Sequence, residues 1–141
     1  MRKLLIIISA IVLMLCSCTK EQETTYTFTT EGSIIGQIVG LFKGSGYSNA
    51  TCNVIIFEYY GEQRVASQTI KEVEDGKEYT FVATPKTEFI TVRIDIKVGG
   101  HKTRPDDTIT DYIANVFYLS DGEDTKVILS EDTLTSDYEP K

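Results

Sequence analysis

The residues in this chain able to do chemistry beyond packing are three cysteines, one histidine, two clusters of carboxylates, and tyrosine and asparagine in polar loops. The sharpest signal is Leu15-Cys16-Ser17-Cys18, which follows an apolar run. Arg2 and Lys3 form a basic start, residues 4–15 an apolar stretch, and Ser17 is the small residue a signal peptidase needs before its cut. The pattern reads as a lipobox, with residues 1–17 a signal peptide and Cys18 the acylated N-terminus of the mature chain. Cys16 is the poorer candidate, because bulky Leu15 would stand at the scissile position. A run of about a dozen apolar residues falls short of the roughly 20 that a spanning helix needs. Acyl chains would do the anchoring, at about 0.8 kcal/mol per buried methylene and with more than one chain for stable attachment.

With Cys18 acylated, Cys52 is the one thiol left in the mature domain, so no internal disulfide can form. It opens an apolar run, residues 52–60, without a histidine or cationic cluster to lower its pKa, and reads as an inert buried thiol. His101 lies in the glycine-led polar loop GGHKTRPDD (residues 99–107). A zinc site needs three or four close ligands, so the expectation is a solvated loop histidine and no metal site. The segment GQIVGLFKGSG (residues 36–46) is no phosphate loop, since Lys43 precedes Gly44 instead of following it; its glycines read as strand ends and a loop. No G-x-S-x-G elbow is present.

The acidic groups Asp106, Asp107 and Asp111, and Asp121, Glu123 and Asp124, lack the calcium-loop pattern and read as solvated loops. For ligand binding the candidates are Tyr47, Asn49 and Asn53, where an exposed ring and two amides in one loop would suit recognition. No catalytic set and no cofactor are expected, and the reading is a protein that is not an enzyme.

The elements that must carry these residues are strands. Residues 88–98 alternate, with Ile90, Val92, Ile94, Ile96 and Val98 on one face and Phe89, Thr91, Arg93, Asp95 and Lys97 on the other. Comparable runs occur at 26–30, 33–42, 52–60, 64–70, 78–84, 112–120 and 125–130, with turn signals at Asp75-Gly76 and Asp121-Gly122. The expectation is an all-β domain: a single immunoglobulin-like or transthyretin-like β-sandwich of seven or eight strands, the alternative being a small closed β-barrel. The organisation is residues 1–17 as leader, 18–24 as lipidated cysteine and tether, and 25–141 as sandwich with a polar C-terminal segment. Loss of Arg2 and Lys3 with the leader moves the net charge from −7 to −9. Such a surface repels nucleic acid, which asks for clustered Lys and Arg.

The leader resembles those of Bacteroidota-type lipoproteins, in which a Ser-Cys pair is followed by a lysine and acidic residues, here Thr19-Lys20-Glu21-Gln22-Glu23. The resemblance implies a cell outer membrane location, because Thr19 is not the aspartate that favours inner-membrane retention; the face of that membrane stays open. Asp107-Thr108-Ile109 and Asp132-Thr133-Leu134 are similar to the short Asp-Thr-apolar sequence at which this group O-glycosylates exported proteins, implying Thr108 and Thr133 as acceptors. Residues 19–24 make a tether of at most about 20 Å, at 3.3 to 3.6 Å per residue. The functional expectation is a lipid-anchored, non-enzymatic interaction or assembly module of the envelope, its partner a protein or a glycan. The alternatives are a surface glycan-binding lipoprotein and a fimbrial-type subunit.

Overall fold

The computed structural model describes residues 22–114 and 116–136. Cys18, the leader and the first part of the tether lie outside the described residues, as does the end of the C-terminal segment.

Two sheets enclose one core. In chain order the elements are β1 (Thr25–Thr30), α1 (Ile34–Gly44), β2 (Asn49–Tyr60), β3 (Gln63–Ile70), β4 (Tyr79–Val82), β5 (Phe89–Gly99), β6 (Asp107–Ala114), β7 (Phe117–Tyr118), β8 (Asp124–Leu129) and β9 (Leu134–Ser136). The smaller sheet runs β4-β1-β8 and the larger β3-β2-β5-β6-β9, with β7 pairing the start of β5. All pairs are antiparallel except β1 with β8. This is the all-β sandwich, not a closed barrel. The pairing of β2 with β5 runs from Asn49 opposite Gly99 to Tyr59 opposite Phe89, and it forms the spine of the larger sheet.

The alternation expected along β5 sets the inner face. Ile90, Val92, Ile94 and Ile96 are completely buried, and they meet Val54 and Ile56 of β2, Tyr26 and Phe28 of β1, and Val127 and Leu129 of β8 in one cluster. Each such side chain stabilises the fold by about 1.5–3 kcal/mol through burial.

Residues 33–42 form a helix, not the expected strand. Ile34, Ile35 and Ile38 are buried and Phe42 packs partly on the core, a 3.6-residue spacing. Gly36, Gly40 and Gly44 lie four apart and exposed, so they are helical positions instead of strand ends and loop. Both β-branched isoleucine and glycine are weak helix formers, which hides the helix locally. What sustains it comes from 40 residues away. Ser33 makes no side-chain cap; instead Asp75, in the loop before β4, accepts from the backbone N–H of Ile35 at 2.9 Å and of Gly36 at 3.0 Å. Its negative charge also faces the positive end of the helix dipole. Thr30 Oγ1 donates to Asp75 at 3.2 Å and accepts from Gly76 N at 2.9 Å, which locks β1, the helix start and this loop together.

Candidate functional site

The outer face of the larger sheet is built in cross-strand rows, because side chains two apart on β2 and β5 share a face. Going along β2 from its start, Thr51 stands beside Lys97 and Thr108, then Asn53 beside Asp95 and Thr110, Ile55 beside Arg93, Phe57 beside Thr91, and Tyr59 beside Phe89 and Tyr118. The face is therefore polar at one end and aromatic at the other.

At the aromatic end the Tyr59 and Phe89 rings stack, with centroids 5.1 Å apart and planes 7° from parallel, and Tyr118 tilts against Phe89 at 5.9 Å. Tyr118 is 75% exposed. Phe57 is held between two guanidinium groups, Arg64 4.8 Å and Arg93 5.3 Å from its centroid. Arg93 is itself fixed by Asp95: its Nη2 donates to Oδ2 at 3.1 Å, while Nε lies 3.0 Å from Oδ1 at an angle that makes no hydrogen bond. Thr110 Oγ1 donates to the same carboxylate at 2.8 Å. Arg93 is thus oriented by a carboxylate of the same sheet, and each cation–π contact contributes about 0.5–1 kcal/mol at a partly exposed position.

Directly behind the stripe lies the opposite arrangement. Glu58 is completely buried, facing the core between two outward aromatic residues. Its Oε1 accepts from the Tyr26 hydroxyl at 2.9 Å and its Oε2 from Thr84 N at 3.1 Å, so the carboxyl group joins the two sheets. Burial first, then the hydrogen bond and charge of Glu58, push the Tyr26 phenol far above its usual range. Both side chains are fully enclosed, so the pair ties the two sheets together from within the core.

The polar end is an open trough of about 850 Å³, with Asn49, Asn53, Lys71, Lys97, Asp107 and Thr108 among its lining residues. Two of the three residues expected to bind ligand, Asn49 and Asn53, come together there, as does the glycosylation candidate Thr108, which is exposed. Tyr47 does not join them. It is 8% exposed, part of the core, because the helix ends at Gly44 and the chain turns inward through Gly46. The expected exposed loop tyrosine is therefore a buried one. His101 is half-buried against it, ring centroids 5.0 Å apart, with Nδ1 accepting from Thr103 N at 3.1 Å, so it is a packing partner instead of a freely solvated side chain. The other glycosylation candidate, Thr133, accepts from Ser130 N at 2.8 Å and donates to Ser130 O at 3.1 Å, which closes the turn before β9.

Cys52 is buried on the inner face, where burial and then the charge of Asp75 push its thiol up to about 11. Among the described residues no group of three His, Cys, Asp or Glu side chains lies together to hold a metal, and no helix is long and apolar enough to cross a membrane.

The residues missed from sequence are Phe57, Tyr59 and Tyr118. A signal did exist in β5, where Phe89 falls on the wet face of an otherwise regular alternation. An aromatic ring on the solvent side of a strand points to a surface, and its cross-strand neighbours are the place to look.

Fold and site together define a small β-sandwich whose larger sheet carries an exposed aromatic and polar face. Beyond that class the comparisons add no relative: no family model, no curated protein and no solved structure matches this chain.

Proposed function

We propose that this chain is a lipid-anchored, non-enzymatic interaction module of the cell outer membrane, presenting the aromatic end of its larger sheet to an envelope protein. The observation that carries the reading is the Tyr59, Phe89 and Tyr118 cluster beside Phe57 with its two flanking arginines, all on the solvent side. Interfaces draw most of their affinity from a few tyrosine, tryptophan and arginine side chains at their centre. Rings already stacked and guanidinium groups already oriented lose less freedom on docking. A lipid at Cys18 and a tether of at most about 20 Å would hold the sandwich beside a partner in the same membrane. Confinement of that kind raises the effective concentration of the partner.

A photo-reactive phenylalanine analogue in place of Tyr118, in the full-length protein in cells, tests this against the same analogue in place of Val82 on the smaller sheet. The expected result is one dominant protein cross-link from position 118 and none from 82, lost in a Tyr59→Ala, Phe89→Ala background. Equal cross-linking from both faces, or none from 118, would refute the docking surface. The anchor is tested separately by Cys18→Ala, which should move the protein from the membrane to the soluble fraction.

A further inference from the structure

We propose that the trough at the polar end of the same face is a second, independent site, and that it takes a neutral saccharide chain. The protein-docking reading concerns the aromatic end and can fail without touching this one.

Shape comes first. Sites for compact small molecules are enclosed and mostly apolar. This one is an open trough of about 850 Å³ whose lining side chains are largely amides, hydroxyls, ammonium groups and carboxylates. An extended ligand can lie in it with much of its length still in water.

The lining chemistry narrows the ligand. Lys71 and Lys97 form no ion pair among the described residues, so six ammonium hydrogens remain available in addition to the amide groups of Asn49. Glu72, Asp106 and Asp107 supply acceptors. Two cations against three carboxylates give no net attraction for a nucleic acid or another polyanion, which asks for clustered positive charge. A peptide or acyl chain would find no exposed apolar side chain to anchor it here. A sugar hydroxyl, one donor and two acceptors in a single group, matches a lining that mixes both roles at short intervals.

The walls are built in advance. Val73 N donates to Cys52 O at 2.9 Å and Glu72 N to Asn53 Oδ1 at 2.9 Å, which clips the segment after β3 over β2. To make both bonds Glu72 adopts φ 50°, a left-handed conformation costing a non-glycine residue on the order of 1–3 kcal/mol. At the other wall Gly100, with φ 71°, donates its N–H to Asp106 Oδ1 at 3.2 Å. Asn53 is therefore committed through its oxygen and keeps its NH₂ free for a ligand. A rigid trough of this kind binds without first paying to order its walls.

Affinity electrophoresis of the full-length protein in mild detergent tests the site. The gels would contain β-glucan, mannan, xylan or starch as neutral probes, and polygalacturonate or hyaluronan as acidic ones. At least one neutral polysaccharide should retard the wild type. The exposed double variant Asn49→Ala, Lys97→Ala should weaken that retardation about tenfold, the loss of two hydrogen bonds of about 0.5–1.5 kcal/mol each. Its melting temperature should stay that of the wild type, and Tyr118→Ala should bind as the wild type does. Three results would overturn the proposal: no retardation by any neutral probe, retardation that the double variant leaves unchanged, or retardation by acidic probes alone that high salt removes, which is ion exchange.

Discussion

Along β2 the two faces exchange roles partway. In its first half the inward residues Cys52, Val54 and Ile56 are apolar and the outward Thr51 and Asn53 polar, the usual division for a strand with one wet side. In its second half the charged residue, Glu58, is inside and completely buried, while Phe57 and Tyr59 are outside. The inversion is stable because the inside is fully satisfied, by the Tyr26 hydroxyl and Thr84 N, and because the outside aromatics stack with Phe89 and with two arginines. A buried carboxyl group inside and two aromatic rings outside thus coexist on one strand because each is matched by partners on its own face.

The largest effect should come from breaking the inside of that inversion. Glu58→Ala leaves the Tyr26 hydroxyl and Thr84 N buried without partners and opens a void between the sheets, at a cost of about 3–5 kcal/mol. Urea denaturation should show this as a lowered midpoint with little change in slope. Glu58→Gln should recover most of the loss, since its amide oxygen can accept from Thr84 N and its NH₂ can donate to the Tyr26 oxygen. A glutamine variant as unstable as the alanine one would mean that both acceptor oxygens of the carboxyl group are required, since the Tyr26 hydroxyl hydrogen loses its acceptor in glutamine.

How far the sequence discloses this inversion depends on the local pattern. In β5 the alternation is unbroken, so both faces are readable, and the strands from β1 to β5 and β8 lie within a few residues of where composition and turns place them. Residues 52–60, by contrast, are nearly all apolar, and a run of that kind does not say which side is wet; pairing with β5 decides it. The helix is hidden because its isoleucines and glycines are poor helix formers and its cap, Asp75, is supplied from a distant loop. Tyr47 is misread for a related reason: a tyrosine flanked by Gly46, Ser48 and Asn49 looks like a loop tip, yet the end of that unseen helix aims it into the core. Asn49 and Asn53 read as loop amides, whereas both stand on the outward face of β2, which begins three residues earlier than the apolar run suggests; their nearness in sequence brings them together in either case.

Alkaline pH should act next in size, and on the inner face. In the unfolded chain the Cys52 thiol loses its proton near 9.0, in the fold near 11. Between those values the unfolded chain binds fewer protons, so stability falls as pH rises. A shift of this size corresponds to on the order of 2–3 kcal/mol across the interval. Tyr26, also raised, adds a further loss starting near its ordinary value of 10.0. Thermal melts at steps from pH 8 upward should show Cys52→Ala holding its stability to about one unit higher than the wild type. Identical profiles would mean that Cys52 does not contribute to the alkaline loss and would leave Tyr26 as its source on the inner face.

The smallest effects on stability, and the most informative about the inversion, belong to the outer rings. Tyr59 and Phe89 are half-buried against each other, so single alanine substitutions should each be felt, with a coupling of about 0.5–1.5 kcal/mol in a double-mutant cycle. Tyr118 sits at the rim, 75% exposed and on a strand of two residues, and Tyr118→Ala should change stability by no more than about 0.5 kcal/mol. Loss of partner cross-linking from a photo-reactive group introduced in place of Thr91, which stands beside Phe57, in a Tyr118→Ala variant of unchanged stability, would separate recognition from folding on this face. If Tyr118→Ala instead destabilised the protein as much as the Tyr59 substitution does, the ring would be pinning β7 to β5, and the aromatic end would be the brace of a short strand, not a surface awaiting a partner.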